Sequence, residues 1–203
     1  MQNRVNMTAV LPRLFHDREP SLTHAQRALV EWAKVDDNQA ILDTACGSGA
    51  LLNHFVNRYH LRACGIASNS ADEAAARELL ATQAEVYRAS LYDIPWRDDT
   101  FHTAFVNGAL LNPGHARLFV QELLRVLQPQ GQVLAAMPCV MPLRRLYAKP
   151  ASRSANTFLA TPYGLMGLLE ECGFADISMR AYGLRTAVIA AHKSRVAVAD
   201  ARR

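Results

Sequence analysis

One short segment, residues 41–51, constrains the fold of this chain more than any other. An apolar strand ends at Asp43, and a turn that contains Gly47 and Gly49 leads into a helix. Glycines in such a turn let backbone N–H groups approach a ligand where a Cβ atom would block them. Dinucleotide-binding turns prefer a third glycine, and this chain has Leu52 there. Asp43 instead favours a bound cation over a pyrophosphate, and a generic α/β turn without a ligand is the alternative.

Strands and helices alternate along the chain. The predicted helices cover about 23–34, 50–57, 70–82, 115–127 and 162–171, and the predicted strands lie near 41, 62–67, 85–89, 103–106, 132–137, 175–179 and 186–191. We predict Ser70 as the N-cap of the third helix, with Glu73 completing a capping box, and Gly173 as the C-cap of the last. This alternation predicts a parallel sheet with helices on both faces.

Length and composition fit one α/β domain. The chain has 203 residues, of which 50% are hydrophobic and 20% charged, enough to bury a full core. No apolar run approaches the roughly 20 residues of a membrane span, and we expect no signal peptide. The four cysteines are far apart, which predicts reduced thiols in a cytoplasmic protein and neither a metal site nor a disulfide framework.

The same pattern divides the chain into segments. We expect an N-terminal helical cap segment over residues 1–36 and the main domain over residues 37–193. Residues 138–162 hold four prolines and break the alternation, so we expect a substrate-facing insertion there. Residues 194–203 are expected to form a flexible tail.

Positive charge is concentrated in one stretch. The formal net charge is +4, and between Glu122 and Glu170 there are five basic residues and no acidic ones. A solvated basic face is the simplest interpretation. A site that attracts an anionic substrate is the alternative, and RNA is less favoured because aromatic residues do not alternate with the basic ones.

Further motifs follow the glycine turn in a recognisable order. Residues 91–101 contain an Ile-Pro pair, a polar turn and a phenylalanine; residues 122–131 read E-L-L-R-V-L-Q-P-Q-G; and Gly173 precedes Phe174. Together with D-x-x-x-G-x-G at residues 43–49, these motifs resemble the class I S-adenosylmethionine (SAM) methyltransferases. The resemblance is to the small-molecule branch that includes quinone-biosynthesis methyltransferases, and Gln130 replaces one family glycine.

This resemblance covers residues 40–193 and implies a fold, a cofactor and an activity. The implied fold is a Rossmann-like, seven-stranded, mostly parallel sheet with helices on both faces in a single domain. The implied activity is SAM-dependent methyl transfer to a small-molecule acceptor by in-line displacement, and the basic stretch is compatible with an anionic acceptor. Such a displacement depends mainly on proximity and orientation, and it needs a general base only when the nucleophile must lose a proton. We therefore assign no catalytic residue.

The resemblance also implies roles for individual residues. The methionine end of SAM would lie at the glycine turn, the ribose beyond the second strand, the adenine beyond the third, and the methyl group beyond the fourth. The corresponding residues are, in that order, Asp43, Ala45, Cys46, Gly47, Ser48 and Gly49; Ala67 and Ser68; Ser90 and Leu91; and Asn107 and Gly108. His115 and Tyr147 are candidates for the acceptor side.

Each assignment has a structural alternative. Asp43 would then be a turn carboxylate, and Asn107 a turn residue. His115 would cap the helix that it precedes, and Tyr147 would pack in the core.

Three positions depart from the family pattern. The acid that binds the ribose hydroxyls is replaced by Ala67, the acid before the adenine site by Ser90, and an aspartate at the fourth strand by His102. A lost carboxylate–hydroxyl pair is worth roughly 1.5–3 kcal/mol, with Ser68 or Asn69 as candidates to bind the ribose instead. The departures keep a second hypothesis open, a non-catalytic binding or regulatory protein with this fold. An RNA methyltransferase is a third, and a nucleotide-dependent oxidoreductase is disfavoured by Leu52.

Overall fold

Helices and strands alternate through the residues that the computed structural model describes, which are 21–107, 114–138, 161–183 and 185–194. The helices are α1 (His24–Trp32), α2 (Ala50–Val56), α3 (Ser70–Leu80), α4 (Ala116–Val126) and α5 (Pro162–Cys172). The strands are β1 (Ala40–Asp43), β2 (Arg62–Ala67), β3 (Ala84–Arg88), β4 (Phe101–Asn107), β5 (Leu127–Pro138), β6 (Phe174–Tyr182) and β7 (Thr186–Lys193).

All seven strands belong to one sheet, in the order β3-β2-β1-β4-β5-β7-β6. The pairs among β1 to β5 are parallel, and β7 runs antiparallel to both β5 and β6. The predicted seven-stranded, mostly parallel sheet is therefore confirmed. Because β1 to β5 all run parallel, their carboxyl ends lie at one edge of the sheet, which we call the carboxyl edge.

Helices cover both faces of the sheet, as predicted. The apolar sides of α4 and α5 pack into one core cluster, and those of α1, α2 and α3 pack into a second cluster on the other face. In β1, Leu42 contributes to the first cluster and Ile41 to the second, as the two-residue period of a strand requires. Both side chains are fully buried, so β1 lies at the centre of the molecule.

Two helix boundaries show how local chemistry sets the elements. Gly173 ends α5 with φ +103°, the left-handed conformation predicted for it. The N-cap of α3 is Asn69, whose side chain accepts the Asp72 N–H at 2.9 Å, so the prediction of Ser70 as N-cap was wrong by one residue. The sequence offered two adjacent N-cap formers, and asparagine is at least as good a cap as serine.

A tight junction joins α4 to β5. β5 begins at Leu127, directly after the helix, whereas the sequence predicted a start near residue 132. Gln130, which replaces the family glycine, has φ +67°, so the backbone keeps a left-handed conformation without glycine. A Cβ atom on Gly131 would lie 2.8 Å from the Gln128 carbonyl oxygen and 3.0 Å from that of Phe101, which explains why this second position requires glycine.

Helix α1 packs directly on the sheet. Ala28 and Leu29 are buried in the second core cluster, and the Gln132 side chain donates to the Lys34 carbonyl oxygen at 3.2 Å. Most of the predicted insertion, residues 139–160, lies outside the described residues, as do residues 1–20 and 195–203. Within the described part of the chain, no helix is long and apolar enough to cross a membrane.

Candidate SAM-binding site

The chain leaves β1 and β4, which are neighbours, in opposite directions. β1 leads through α2 on one face to β2, and β4 leads through α4 on the other face to β5. A crevice opens at the carboxyl edge between two such strands, and α/β folds bind ligands at this switch point. Asp43 and Asn107 are the last residues of the two strands, so the fold places both predicted residues at the crevice.

Asp43 is a buried carboxylate with half of its hydrogen-bonding capacity unused. Its Oδ1 atom accepts the Ala45 N–H at 3.0 Å, whereas the buried Oδ2 atom has no partner within the described residues. The residue is 3% exposed, and burial raises the pKa of its carboxyl group from 3.8 to about 6, against a smaller lowering effect of the Ala45 hydrogen bond. An ionised group in this position lacks a positive partner.

The turn that follows Asp43 exposes backbone groups to the crevice. Gly47 has φ +52°, and a Cβ atom built on it would meet nothing within 4 Å, so the turn borders open space. The Cys46 N–H donates to the Ile66 carbonyl oxygen, and the Gly49 N–H donates to the Cys46 carbonyl oxygen. The N–H groups of Gly47 and Ser48 make no hydrogen bond within the described ranges, which leaves them available to an anionic ligand group.

Close packing holds this turn in place. Gly49, with φ +87°, lies where a Cβ atom would be 2.9 Å from Leu80 of α3. Leu52 occupies the position of the third glycine of a dinucleotide turn, and a Cβ atom on Gly65 would lie 2.8 Å from the Leu52 side chain. The close approach of helix and strand thus depends on the glycine in β2 rather than on one in α2.

The Cys46 thiol is structural. It is 1% exposed, and burial, followed by the negative charges of Asp43 and Asp72, raises its pKa to about 12. The thiol therefore stays neutral and unreactive. The influence of Asp72 on Cys46 also shows that the start of α3 lies near the glycine turn.

The end of β2 carries a carboxylate that the sequence motif did not identify. Ala67 is completely buried and offers no polar side-chain atom. The Ser68 hydroxyl and the Asn69 side-chain amide each donate to Asp72 Oδ2 at 2.8 Å. Ser68 and Asn69, the predicted substitutes for the missing acid, therefore hold a new acid, Asp72, at this end of the strand. An aspartate three residues after an asparagine N-cap is the signal that would have revealed it.

Beyond β3, the chain forms a tight turn that presents an aromatic residue. The Ser90 hydroxyl accepts the Tyr92 N–H at 3.1 Å, and Leu91 packs against the first core cluster. The Tyr92 ring is 39% exposed and its centroid lies 5.1 Å from that of His115. His115 is the N-cap residue of α4, as its structural alternative predicts, but its side chain makes no capping hydrogen bond.

An ion-pair network fixes the segment between this turn and β4. The Arg125 guanidinium donates to Glu122 at 2.7 Å and 2.9 Å, and to the carbonyl oxygens of Ile94 and Trp96 at 2.9 Å each. Glu122 also accepts the Ile94 N–H at 2.9 Å. The Arg125 hydrogen bonds hold the pKa of Glu122 below its usual value. These two residues of the E-L-x-R motif thus anchor the loop that carries Ser90 and Tyr92.

Some predicted residues lie elsewhere. His102 Nδ1 accepts the Ala40 N–H at 3.0 Å, at the starts of β4 and β1. This third departure therefore lies at the edge opposite the crevice and has no bearing on a ligand there. Gly108 and Tyr147 lie outside the described residues. The described ranges contain no group of three or more His, Cys, Asp or Glu residues that could hold a metal ion.

Comparison with known proteins agrees with this geometry. Residues 41–131 match the family described as "Methyltransferase domain". A SAM-dependent methyltransferase from Methanosarcina mazei superposes with a TM-score of 0.63 at 19% identity, covering 79% of this chain and 94% of that one. The geranyl diphosphate C-methyltransferase of Streptomyces coelicolor, in complex with S-adenosylhomocysteine, has a TM-score of 0.66 at 12% identity over 83% and 74% of the two chains.

One similar structure has a different chemistry in its name. The [4+2]-cyclase SpnF superposes with a TM-score of 0.69 at 15% identity, covering 83% of this chain and 80% of that chain. At such identities the likeness shows the fold. The family match covers the glycine turn, the Asp72 region and the Glu122–Arg125 anchor. Residues 41–131 thus match a methyltransferase domain, and the seven-stranded sheet of this chain has the fold of these solved structures.

Proposed function

We propose that this protein transfers a methyl group from SAM to a small molecule. The observation that carries the proposal is Asp43, a buried carboxylate at the switch point whose Oδ2 atom has no partner within the described residues. SAM carries an ammonium group at its methionine end, and a cation would remove the electrostatic cost of ionising Asp43 in a buried position. A carboxylate kept only for folding would be expected to have both oxygens bonded.

The glycine turn fits the rest of the methionine end. The N–H groups of Gly47 and Ser48 would bind its carboxylate, and the open space over Gly47 leaves room for it. Ala45 supports Asp43 through its N–H, and the buried Cys46 and Gly49 hold the turn on the sheet. The residues present therefore suit the methionine end of SAM. Asp43 would bind its ammonium group, and the N–H groups of Gly47 and Ser48 would bind its carboxylate.

Asp72 takes the place of the missing ribose acid in this proposal. Its carboxylate is held by Ser68 and Asn69 and lies just beyond Ala67, where the family pattern has an acid. Carboxylate oxygens are good acceptors for the hydroxyl pair of a ribose. Ser90 and Leu91 would border the adenine, and the Tyr92–His115 pair would cover that side of the crevice.

The chemistry needs orientation more than functional groups. SAM supplies a methyl group on a sulfonium, which is a good leaving group. The chain contributes alignment of the acceptor and exclusion of water, with Asn107 and Gly108 bordering the reacting centre. His115 and Tyr147 remain our candidates on the acceptor side, and a base is required only for an acceptor that must lose a proton. The free thiols Cys46, Cys64 and Cys172 support a reducing, cytoplasmic location.

A second function is supported by specific observations. Ala67 and Ser90 stand where the family pattern has acids, which weakens the case for a working cofactor site. A chain that keeps the fold as a binding or regulatory module is therefore the alternative. The two functions differ in turnover rather than in structure.

Calorimetric titration with SAM and with S-adenosylhomocysteine tests the proposal. We expect micromolar binding of both, and a loss of at least about 100-fold in Asp43→Ala, which removes a charge-assisted contact to a desolvated cation. Asp36→Ala is the matched control because Asp36 is exposed, and it should bind like the wild type. Absence of binding to either compound in the wild-type protein would refute the proposal.

Turnover separates the two functions. The protein is incubated with SAM and a panel of small phenols, amines, carboxylates and phosphates, and release of S-adenosylhomocysteine is measured. Acceptor-dependent release supports a methyltransferase. Binding of SAM without release for any acceptor class favours the regulatory alternative.

A further inference from the structure

The first residue of α1, His24, lies at the carboxyl edge although it is distant in sequence from every motif. Its Nδ1 atom is 3.1 Å from the Thr186 hydroxyl at the start of β7. The other end of α1 leads to Lys34, whose carbonyl oxygen accepts from Gln132 near the opposite edge. The helix therefore crosses the sheet face, with His24 at the edge where the proposed SAM site opens.

Three elements fix the His24 ring. Thr186 is 8% exposed, so a buried hydroxyl orients the ring through Nδ1. The Tyr182 ring packs beside it, with centroids 4.9 Å apart. Gly183 has φ +64°, and a Cβ atom built on it would lie 3.6 Å from Nε2. His24 is exposed, and its Nε2 atom makes no hydrogen bond within the described residues.

The surroundings of His24 carry a positive excess. Arg27, three residues along α1, acts electrostatically on Tyr182, and exposed Arg185 follows in the same turn as Gly183. The acidic group nearby, Glu31, is engaged by a hydrogen bond with the Tyr182 hydroxyl, which raises the pKa of that hydroxyl. Farther along, the Arg180 guanidinium lies 5.4 Å from the Trp32 ring centroid. Arg27 and Arg185 thus lie on the two segments next to His24, where their positive charge exceeds the negative charge of Glu31.

Strand register gives the distance to the reacting centre. Asn107 pairs with Ala136 of β5, which pairs with Val188 of β7, and Thr186 lies two residues from Val188 along β7, toward the carboxyl edge. Two strand spacings across and two residues along give a backbone separation of about 12 Å. A small molecule whose nucleophile lies near Asn107 can span this distance with its far end.

We propose that His24, oriented by Thr186, binds an anionic group, a carboxylate or a phosphate, at the far end of the methyl acceptor. Its Nε2–H donates to the anion, and Arg27 and Arg185 add positive charge. This inference rests on the proposed methyl transfer for the identity of its ligand, whereas the anion site itself is testable without turnover.

The test is NMR of the histidine ring nitrogens during titration of the full-length protein. One arm uses inorganic phosphate and the other acetate, each with and without S-adenosylhomocysteine. We expect a saturable shift of the His24 resonances with at least one anion, and the arm that shifts identifies the anion class. Exposed His60, whose N–H is bound by Asp37, is the internal control. No His24 shift in either arm, or an equal shift of His60, overturns the proposal.

Three variants check the mechanism. Arg185→Gln should weaken anion binding about threefold because it removes one positive charge. Thr186→Val should weaken anion binding by a similar factor because it no longer orients the His24 ring. Arg58→Gln, an exposed arginine after α2, should leave the titration unchanged. Equal weakening in Arg58→Gln would contradict a local site. If S-adenosylhomocysteine fails to bind while His24 still titrates, the proposed methyl transfer fails and the anion site stands.

Discussion

Two carboxylates in this molecule differ in burial and in hydrogen bonding: Asp43 is 3% exposed, whereas the side chain of Glu122 is 19% exposed. Glu122 is bonded on all sides, to Arg125, to the Ile94 N–H and, through Arg125, to Asp98. Asp43 has one bond, to the Ala45 N–H, and one buried oxygen without a partner in the described chain. The pKa of Glu122 is lowered and that of Asp43 is raised to about 6.

This difference in hydrogen bonding distinguishes a carboxylate that stabilises the fold from one that is suited to bind a ligand. A carboxylate whose partners are all within the chain stabilises the folded state by itself. A buried carboxylate with a missing partner costs stability until a ligand supplies the partner. We therefore interpret Glu122 as the anchor of a loop and Asp43 as the centre of the proposed SAM site, and each prediction below tests this distinction.

The largest effect on stability is expected from Asp43→Asn without ligand. Because the native pKa of Asp43, about 6, exceeds the ordinary carboxyl value of 3.8, the native state binds more protons than the unfolded state between these pH values. Stability therefore falls as pH rises from about 4 to about 6, by about 3 kcal/mol. Asp43→Asn removes this loss. The variant's free energy of unfolding should therefore equal that of the wild type at pH 4 and exceed it most at pH 7. Urea unfolding at both pH values measures it, and a pH-independent difference would contradict the account.

Arg125→Gln should act in the opposite direction. It leaves Glu122, whose side chain is 19% exposed, without its ionic partner, and two carbonyl oxygens without donors. We expect a loss of roughly 2–3 kcal/mol at pH 7. The pKa of Glu122 is lowered, so its contribution is present above about 4.5 and disappears as pH falls through the native value. The variant should therefore approach the wild type in acid, and an unchanged deficit there would argue against an ionic anchor.

Asp72→Asn should weaken S-adenosylhomocysteine binding by about tenfold, which is about 1.4 kcal/mol. The asparagine oxygen can still accept from Ser68 and Asn69, so the cap of α3 should persist. Glu73→Gln is the matched control, since Glu73 is the next acid of the same turn and pairs with Arg77 at 2.8 Å. Equal affinity in both variants would remove Asp72 from the site.

Asp98→Asn is expected to have the smallest effect. Asp98 pairs with Arg125 at 2.8 Å, but its side chain is 72% exposed. Solvent screens such a pair, so the loss should stay below about 0.5 kcal/mol. A loss as large as that of Arg125→Gln would mean that exposure does not distinguish the members of this network.

Much of the fold was predictable because it depends on periodic burial. The strand at Ile41–Asp43, the helix beyond Gly49 and the cap at Gly173 follow from hydrophobic spacing and glycine geometry. The start of β5 was missed because Gln130 adopts a positive φ that sequence patterns assign to glycine. The N-cap of α3 was missed by one residue because Asn69 and Ser70 are adjacent and both are good N-cap residues.

The site was predictable only where it follows a motif. Asp43 and the glycine turn are local in sequence, so their spacing alone made them candidates. Asp72 was missed because its position depends on hydrogen bonds from Ser68 and Asn69. Nothing in the sequence indicated the contact between His24 and Thr186, because the two residues are 162 positions apart and only the sheet brings them together. His102 was wrongly counted among the site departures because the sequence does not show which edge it occupies.

The most direct test of the central claim is the pH dependence of S-adenosylhomocysteine affinity, measured by calorimetry between pH 5 and pH 8. A bound ammonium requires ionised Asp43, so we expect affinity to be constant above about pH 7 and about tenfold weaker at pH 5. Asp43→Asn should bind weakly at every pH. Two results would contradict the assignment of Asp43 as the carboxylate that binds the ammonium group of the cofactor. One is a wild-type affinity that does not change with pH, and the other is an Asp43→Asn protein that binds as tightly as the wild type.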